Sequence, residues 1–251
     1  MAHKTLVGGT AYNVTGGKSM VSGTTYSIKK GRTLVGGTGY DINFSQEATA
    51  LLYNTGDFAF QRSSSSETGK TVMATYTGFE DNSYSNYPNV PWNSRRANIK
   101  NVYCNEEIEP TSIAYWFYNC RNLTNFNYVN FNINKIVNMR NAYRLCYNLT
   151  GSPVCGEKVT SMYSTYDSCY NLTGSPVCGE KVTNMSNTYT SCSSLTGSPV
   201  CGENVTNMRG AYDGCSKLNG SPVCGDKVVN FAFAYNKCIN ILYSIYFVAF
   251  L

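Results

Sequence analysis

Five cysteines, Cys146, Cys169, Cys192, Cys215 and Cys238, stand 23 residues apart, and Cys155, Cys178, Cys201 and Cys224 keep the same interval. Other columns run in step: Met139, Met162, Met185, Met208 and Phe231; Tyr143, Tyr166, Tyr189, Tyr212 and Tyr235; Leu149, Leu172, Leu195 and Leu218; Val159, Val182, Val205 and Val228. Gly-Ser-Pro-Val-Cys-Gly is written four times, from Gly151, Gly174, Gly197 and Gly220. A fixed period of this size marks a repeat architecture, in which no single copy buries enough apolar surface and neighbours must share one interior. The candidate ladder residues, expected to point inward, are therefore Met162, Tyr166, Cys169, Leu172, Cys178, Met185, Tyr189, Cys192, Leu195, Cys201, Met208, Tyr212, Cys215, Leu218 and Cys224. A degenerate copy precedes them at Ile113, Phe117, Cys120 and Leu123, and its stretch to Met139 is three residues longer than in later copies. Atypical terminal copies are what capping a stack requires.

Within one copy, Met, Tyr and Cys fall at offsets 0, 4 and 7, one face of a helix, which places a helical turn over Met162–Cys169 and its equivalents. A short strand is expected near Pro176–Cys178, with adjacent coils about 4.8 Å apart where strands pair. Pro153, Pro176, Pro199 and Pro222 lack an N–H and belong at a strand start or corner. Asn184 and Asn207 are placed to satisfy backbone groups in turns.

Eleven cysteines in 251 residues invite a disulfide reading. Against it stand the odd number, the chain length and an opening, Met1-Ala2-His3-Lys4, that runs into Gly and Thr rather than an apolar export core. Cys146 and Cys155, on opposite sides of a coil, would exceed the roughly 7 Å a disulfide tolerates. No Cys-x-x-Cys pair occurs and His3 is the only histidine, so no metal site is expected. The reading adopted is a column of buried thiols.

Charged residues are 14% and the net charge is +5, with Lys and Arg scattered, which gives no basis for nucleic-acid binding. Glu157, Glu180, Glu203 and Asp226 recur beside Lys158, Lys181, Asn204 and Lys227, as a solvated edge that discourages edge pairing. Glu106, Glu107 and Glu109 form a local acidic cluster. Neither a nucleophile with its base nor a carboxylate pair emerges, so no catalytic residue and no cofactor are expected. The apolar stretch Ile241–Leu251 is shorter than the roughly 20 residues a membrane helix needs and reads as a cap.

The chain opens with three 14-residue units, from Lys4, Lys18 and Arg32, matched at Leu6/Met20/Leu34, Gly9/Gly23/Gly37, Tyr12/Tyr26/Tyr40 and Val14/Ile28/Ile42. Alternation around each Tyr is strand periodicity, and Gly-Thr steps supply turns. Gly8-Gly9 and Gly36-Gly37 lack the following helix that a phosphate loop needs. Residues 61–69 read as an exposed loop, and Thr71–Phe79 as a strand. The segment Tyr84–Trp92 is a Tyr/Asn/Pro loop whose Tyr84, Tyr87 and Trp92 are the candidate binding residues; the bland alternative is an ordinary loop with Trp92 buried.

The N-terminal Leu/Met-Val-x-Gly-Thr-x-Tyr-x-Val/Ile units resemble segments of minor structural proteins of phages and prophages. Residues 108–240, with Ile113, Phe117, Cys120 and Leu123, Val182-Thr183-Asn184-Met185 and Cys192-Ser193-Ser194-Leu195, resemble BspA-like leucine-rich repeats. That resemblance implies a right-handed solenoid used for adhesion, with no catalytic residues to carry over. Gly-Ser-Pro-Val-Cys-Gly departs from it, standing where those repeats have a Leu/Ile-rich strand. The expected fold class is thus a leucine-rich-repeat-like solenoid, a short strand plus a short helical turn per coil, after a β-rich N-terminal region. The expected domains are β repeats at 1–45, a β-rich region at 46–106, the solenoid at 107–240 and a cap at 241–251. The expected role is a virion protein, tail- or head-fibre-like, made in the bacterial cytoplasm. It would assemble with itself or other virion proteins through the N-terminal repeats and bind a host cell-surface protein or glycan. A bacterial surface or secreted adhesin is the alternative. Nucleic acid and stable membrane insertion are not expected.

Overall fold

The structure, a computed structural model, describes residues 3–7, 10–15, 18–21, 24–28 and 44–241, without 64 and 81. Most of the third 14-residue unit and residues 242–251 of the expected cap lie outside them.

Five strands, β1 (His3–Val7), β2 (Thr10–Thr15), β3 (Lys18–Val21), β4 (Thr24–Ile28) and β5 (Phe44–Gln46), pair in sequence order as an antiparallel meander. A second, mixed sheet has the order β10-β9-β7-β6-β8, from β6 (Thr49–Tyr53), β7 (Asp57–Gln61), β8 (Val72–Thr77), β9 (Asn101–Cys104) and β10 (Asn125–Phe126). The β6 pairs are antiparallel, whereas β7/β9 and β9/β10 are parallel. Ala50, Leu52, Phe58 and Phe60 face one continuous core that runs to Ile241. Phe58, Phe60, Phe79, Trp92, Trp116 and Phe117 pack there edge-on and tilted, with ring centroids 5.1–6.5 Å apart.

This architecture corrects the expected fold class. Regular structure among the described residues is open sheet, with three short 3₁₀ segments, Tyr87–Asn89, Asn93–Asn98 and Ile133–Lys135. A leucine-rich-repeat solenoid with a helical turn per coil is not what the chain forms. Met162–Cys169 is a run of turns, and 176–178 is irregular rather than strand. The physical reason lies in φ. Ser164 and Ser168 sit at +50° and +65°, Asn187 and Ser191 at +56° and +61°, Gly210 and Gly214 at +61° and +78°. Two left-handed residues per copy, four apart, terminate any helix before its first full turn is extended.

What remains periodic is a ladder of turns. Backbone N–H groups of Met139, Asn141, Tyr143 and Leu145 donate to the carbonyls of Ser161, Tyr163, Thr165 and Asp167 in the next copy, and the pattern repeats from Met162 and Met185. Ala142, Cys146 and Leu149 close turns onto the carbonyl three residues back. The Asn column accounts for the bend: Asn138, Asn184, Asn207 and Asn230 each accept, through Oδ1, the N–H two residues ahead.

Inside, Phe117 and the five tyrosines stack with centroids 5.3–5.7 Å apart and planes within 14°. Each central hydroxyl clasps its own winding. Tyr166 donates to the Val154 carbonyl at 2.9 Å and accepts its N–H at 3.0 Å, Tyr189 does the same with Val177 at 2.7 and 3.1 Å, and Tyr212 with Val200. The thiols of Cys146, Cys169, Cys192, Cys215 and Cys238 donate to the carbonyls of Phe117, Tyr143, Tyr166, Tyr189 and Tyr212 one winding back, at 2.9–3.1 Å. Cysteine suits this column because it is small, apolar and still carries a donor.

Candidate functional site

The three residues singled out in the middle loop separate. Trp92 is fully buried and donates its indole N–H to the Trp116 carbonyl at 2.5 Å, so it belongs to the core. Tyr84 is half-buried against that core, and desolvation raises its hydroxyl pKa. Tyr87 alone is exposed, at 39%, stacked on Tyr118 at 4.7 Å with the Arg96 guanidinium 5.7 Å from its ring centre.

A separate set of aromatic and guanidinium contacts follows the repeats. Arg121, Tyr147 and Tyr170 occupy one register position in consecutive windings. The Arg121 guanidinium lies 5.2 Å from the Tyr147 ring centre, and the two tyrosine rings stack at 5.1 Å. Tyr170 is 42% exposed. Beside them Arg140 covers Tyr163 at 4.7 Å, and Arg144 pairs with Asp167 at 2.9 Å. Burial raises the Asp167 carboxyl pKa, against the opposing pull of Ser168 and Arg144. The next windings carry Ser193 and Ser216 where Tyr147 and Tyr170 stand, so the aromatic row is confined to the sheet-proximal part of the repeats. Sequence reading passed over this row. Its signal is a change of type at an otherwise periodic position, which marks a side chain that packing does not dictate. Rigid tyrosine faces interleaved with guanidinium groups suit recognition of sugars and peptide surfaces.

The ladder residues Met162, Tyr166, Cys169, Leu172, Met185, Tyr189, Cys192, Leu195, Cys201, Met208, Tyr212, Cys215 and Leu218 are buried, whereas Cys178 is half-buried and Cys224 exposed. Desolvation raises the thiols of Cys155 to about 12 and Cys178 to about 11. Cys224 departs from its column. The Cys201 thiol and the Tyr235 hydroxyl, the latter 2.9 Å away, hold its pKa below the ordinary thiol value against partial burial. In the unmodified chain, iodoacetamide is expected to alkylate Cys224 first, because it is exposed and its pKa is lowered. Peptide mapping of the modified protein checks this; equal labelling of Cys155 and Cys178 at neutral pH would refute it.

A second charged cluster lies on the far face of the mixed sheet. Lys70 Nζ contacts Asp57 and Glu67 at 2.8 Å and the Tyr103 hydroxyl at 2.9 Å. Lys70 draws the Asp57 pKa down; burial would raise Glu67, but Asn105, Lys70 and Tyr103 outweigh it. Both carboxylates are thus held ionised on an ammonium, and the cluster staples Glu67 and Lys70 to the sheet rather than offering a free acid or base. The expected charged edge, Glu157, Glu180, Glu203 and Asp226 with Lys158, Lys181, Asn204 and Lys227, is exposed. Among the described residues no group of three or more His, Cys, Asp or Glu side chains is arranged to hold a metal, and no helix is long and apolar enough to cross a membrane.

Compared with known proteins, the chain matches no family model, no curated protein and no solved structure.

Proposed function

We propose that this chain is a non-catalytic display protein, a tail- or head-fibre-like component of a phage or prophage particle. In this reading the strand-forming N-terminal repeats attach it to itself or to other virion proteins, and the stacked windings meet the host surface. The observation that carries the reading is the row Arg121, Tyr147 and Tyr170, exposed at Arg121 and Tyr170 and half-buried at Tyr147, together with the separate stack of Arg96, Tyr87 and Tyr118. Arg121, Tyr147 and Tyr170 stack on one another outside the core cluster, so the apolar area they expose is unexplained by folding. Pairwise stacking also pre-orders them, which lowers the entropy lost on binding.

The test is binding of the purified chain to cell envelopes from a panel of Gram-positive and gut bacteria. Binding to at least one envelope is expected, with a tenfold or greater loss for the triple variant Arg121→Ala/Tyr147→Ala/Tyr170→Ala at unchanged thermal stability. No binding to any envelope, or equal binding by the variant, would overturn the proposal.

A further inference from the structure

The three extra residues of the first winding fall between Thr124 and Ile133. Thr150 N–H reaches the Thr124 carbonyl 26 residues back, while a side chain at Gly156 would meet Ile133, 23 residues back. Later windings carry Gly-Ser-Pro-Val-Cys at this point and lie close together there. A β-carbon at Gly174 or Gly197 would crowd Ser152 or Ser175 of the winding before, with Cβ atoms at 3.1 and 3.3 Å. At Gly151, in the same column, nothing lies within 4 Å. The longer winding bows away, and a cleft of about 190 Å³ opens between Asn125, Phe126 and Tyr128 on one side and Thr150, Gly151, Ser152 and Val154 on the other. Tyr143, whose winding has no backbone clasp like that of Tyr166, instead meets the Tyr128 hydroxyl at 3.1 Å. The ladder breaks its own rule here, and places where a regular pattern fails are where function concentrates.

We infer that this cleft binds a single uncharged hexopyranose ring, the terminal residue of a surface glycan; the inference rests on the host-surface reading above and names its ligand class. The lining contains no charged side chain. The lining includes the Phe126–Tyr128 pair, stacked at 4.3 Å and 18° with Phe126 buried and Tyr128 half-buried, and the buried Leu149 and Leu172. The rim holds the Asn125 amide and the Ser152 hydroxyl, both exposed, together with Thr150. A pyranose presents an apolar face to such a lining and hydroxyls to such a rim. The volume lies below the roughly 300 Å³ at which sites for drug-sized molecules begin, so the cleft admits one ring and not a chain.

The test uses the full chain and NMR titration with methyl glycosides of glucose, galactose, mannose and N-acetylglucosamine, with N-acetylneuraminic acid as the charged comparison. At least one neutral glycoside is expected to shift the Gly151 amide and the Phe126 and Tyr128 ring signals with Kd near 1 mM. N-acetylneuraminic acid is expected to shift none. The variant Asn125→Ala/Ser152→Ala should weaken binding tenfold or more without a change in thermal stability, and the Arg121/Tyr147/Tyr170 triple variant should bind the glycoside normally. An oligosaccharide ending in the same sugar should bind at least as tightly as the free glycoside if the natural source is a glycan terminus. Absence of shifts for every neutral glycoside, or shifts that survive the Asn125/Ser152 variant, would overturn the inference. Envelope binding by the unmodified chain in that case would leave the host-surface reading standing and remove only the sugar cleft.

Discussion

Raised from pH 8 to pH 10 under reducing conditions, the protein unfolds cooperatively. Burial pushes the thiols of Cys120, Cys146, Cys169, Cys192 and Cys215 well above their ordinary range. In the unfolded chain the same thiols ionise near 8.5. A thiol whose folded pKa is raised contributes its full stability below the unfolded value and loses it as pH climbs toward the folded one. Each such group costs about 1.4 kcal/mol per pH unit, so the five together cost roughly 7 kcal/mol per unit above about 8.5. Total stabilities are only about 5–15 kcal/mol, so one to two units suffice. From about pH 10 the tyrosine column, whose hydroxyls burial also raises, steepens the loss. Circular dichroism against pH, with a thiol reagent added in parallel, follows both events. The buried thiols should become reactive at the pH where the fold is lost, and Cys224 well before it. Native signal persisting through pH 10.5 would show that the column is not sealed from water.

Tyr189→Ala destabilises the chain by about 3–5 kcal/mol, the range for removing a buried aromatic ring. Tyr189 is fully buried between Tyr166 and Tyr212, at 5.6 and 5.4 Å. The informative partner is Tyr189→Phe, which keeps the stack and removes the clasp. It leaves the Val177 N–H and carbonyl without their hydroxyl, at about 1–3 kcal/mol. Tyr143→Phe should cost less, because that hydroxyl meets another hydroxyl and no backbone group. Urea denaturation of the three variants ranks them. Equal cost for Tyr189→Phe and Tyr143→Phe would mean that the ring matters and the clasp does not.

The columns were legible because packing is periodic: one interior, reached at the same offset in each copy, selects the same side chain each time. The backbone path was not. Met162, Tyr166 and Cys169 at offsets 0, 4 and 7 fit one face of a helix, yet a chain of turns brings the same three inward. The missed signal stood between them. Ser164, Asn187 and Gly210 share one column, and Ser168, Ser191 and Gly214 another, residue types small or amide-bearing enough for positive φ. Leu145, Phe233 and Lys237 blur it, adopting the same conformation with side chains that do not announce it. Of the two readings the loop composition of Trp92 allows, a binding residue or a buried ring in an ordinary loop, the second holds, because a ring of its size between Phe58 and Phe79 is worth more inside. The Arg121, Tyr147 and Tyr170 row escaped notice because a search for constancy overlooks positions that vary.

Every interior winding hands its N–H groups forward and receives the previous winding's in the same way, so any one of them is interchangeable with its neighbour. Duplicating a 23-residue unit in mid-ladder would leave the residues of the cleft and Cys224 untouched, and would add one ring to the tyrosine stack at the spacing of its neighbours, 5.3–5.7 Å. The number of rings in such a stack is an integer, adjustable one 23-residue copy at a time without any new contact having to be invented.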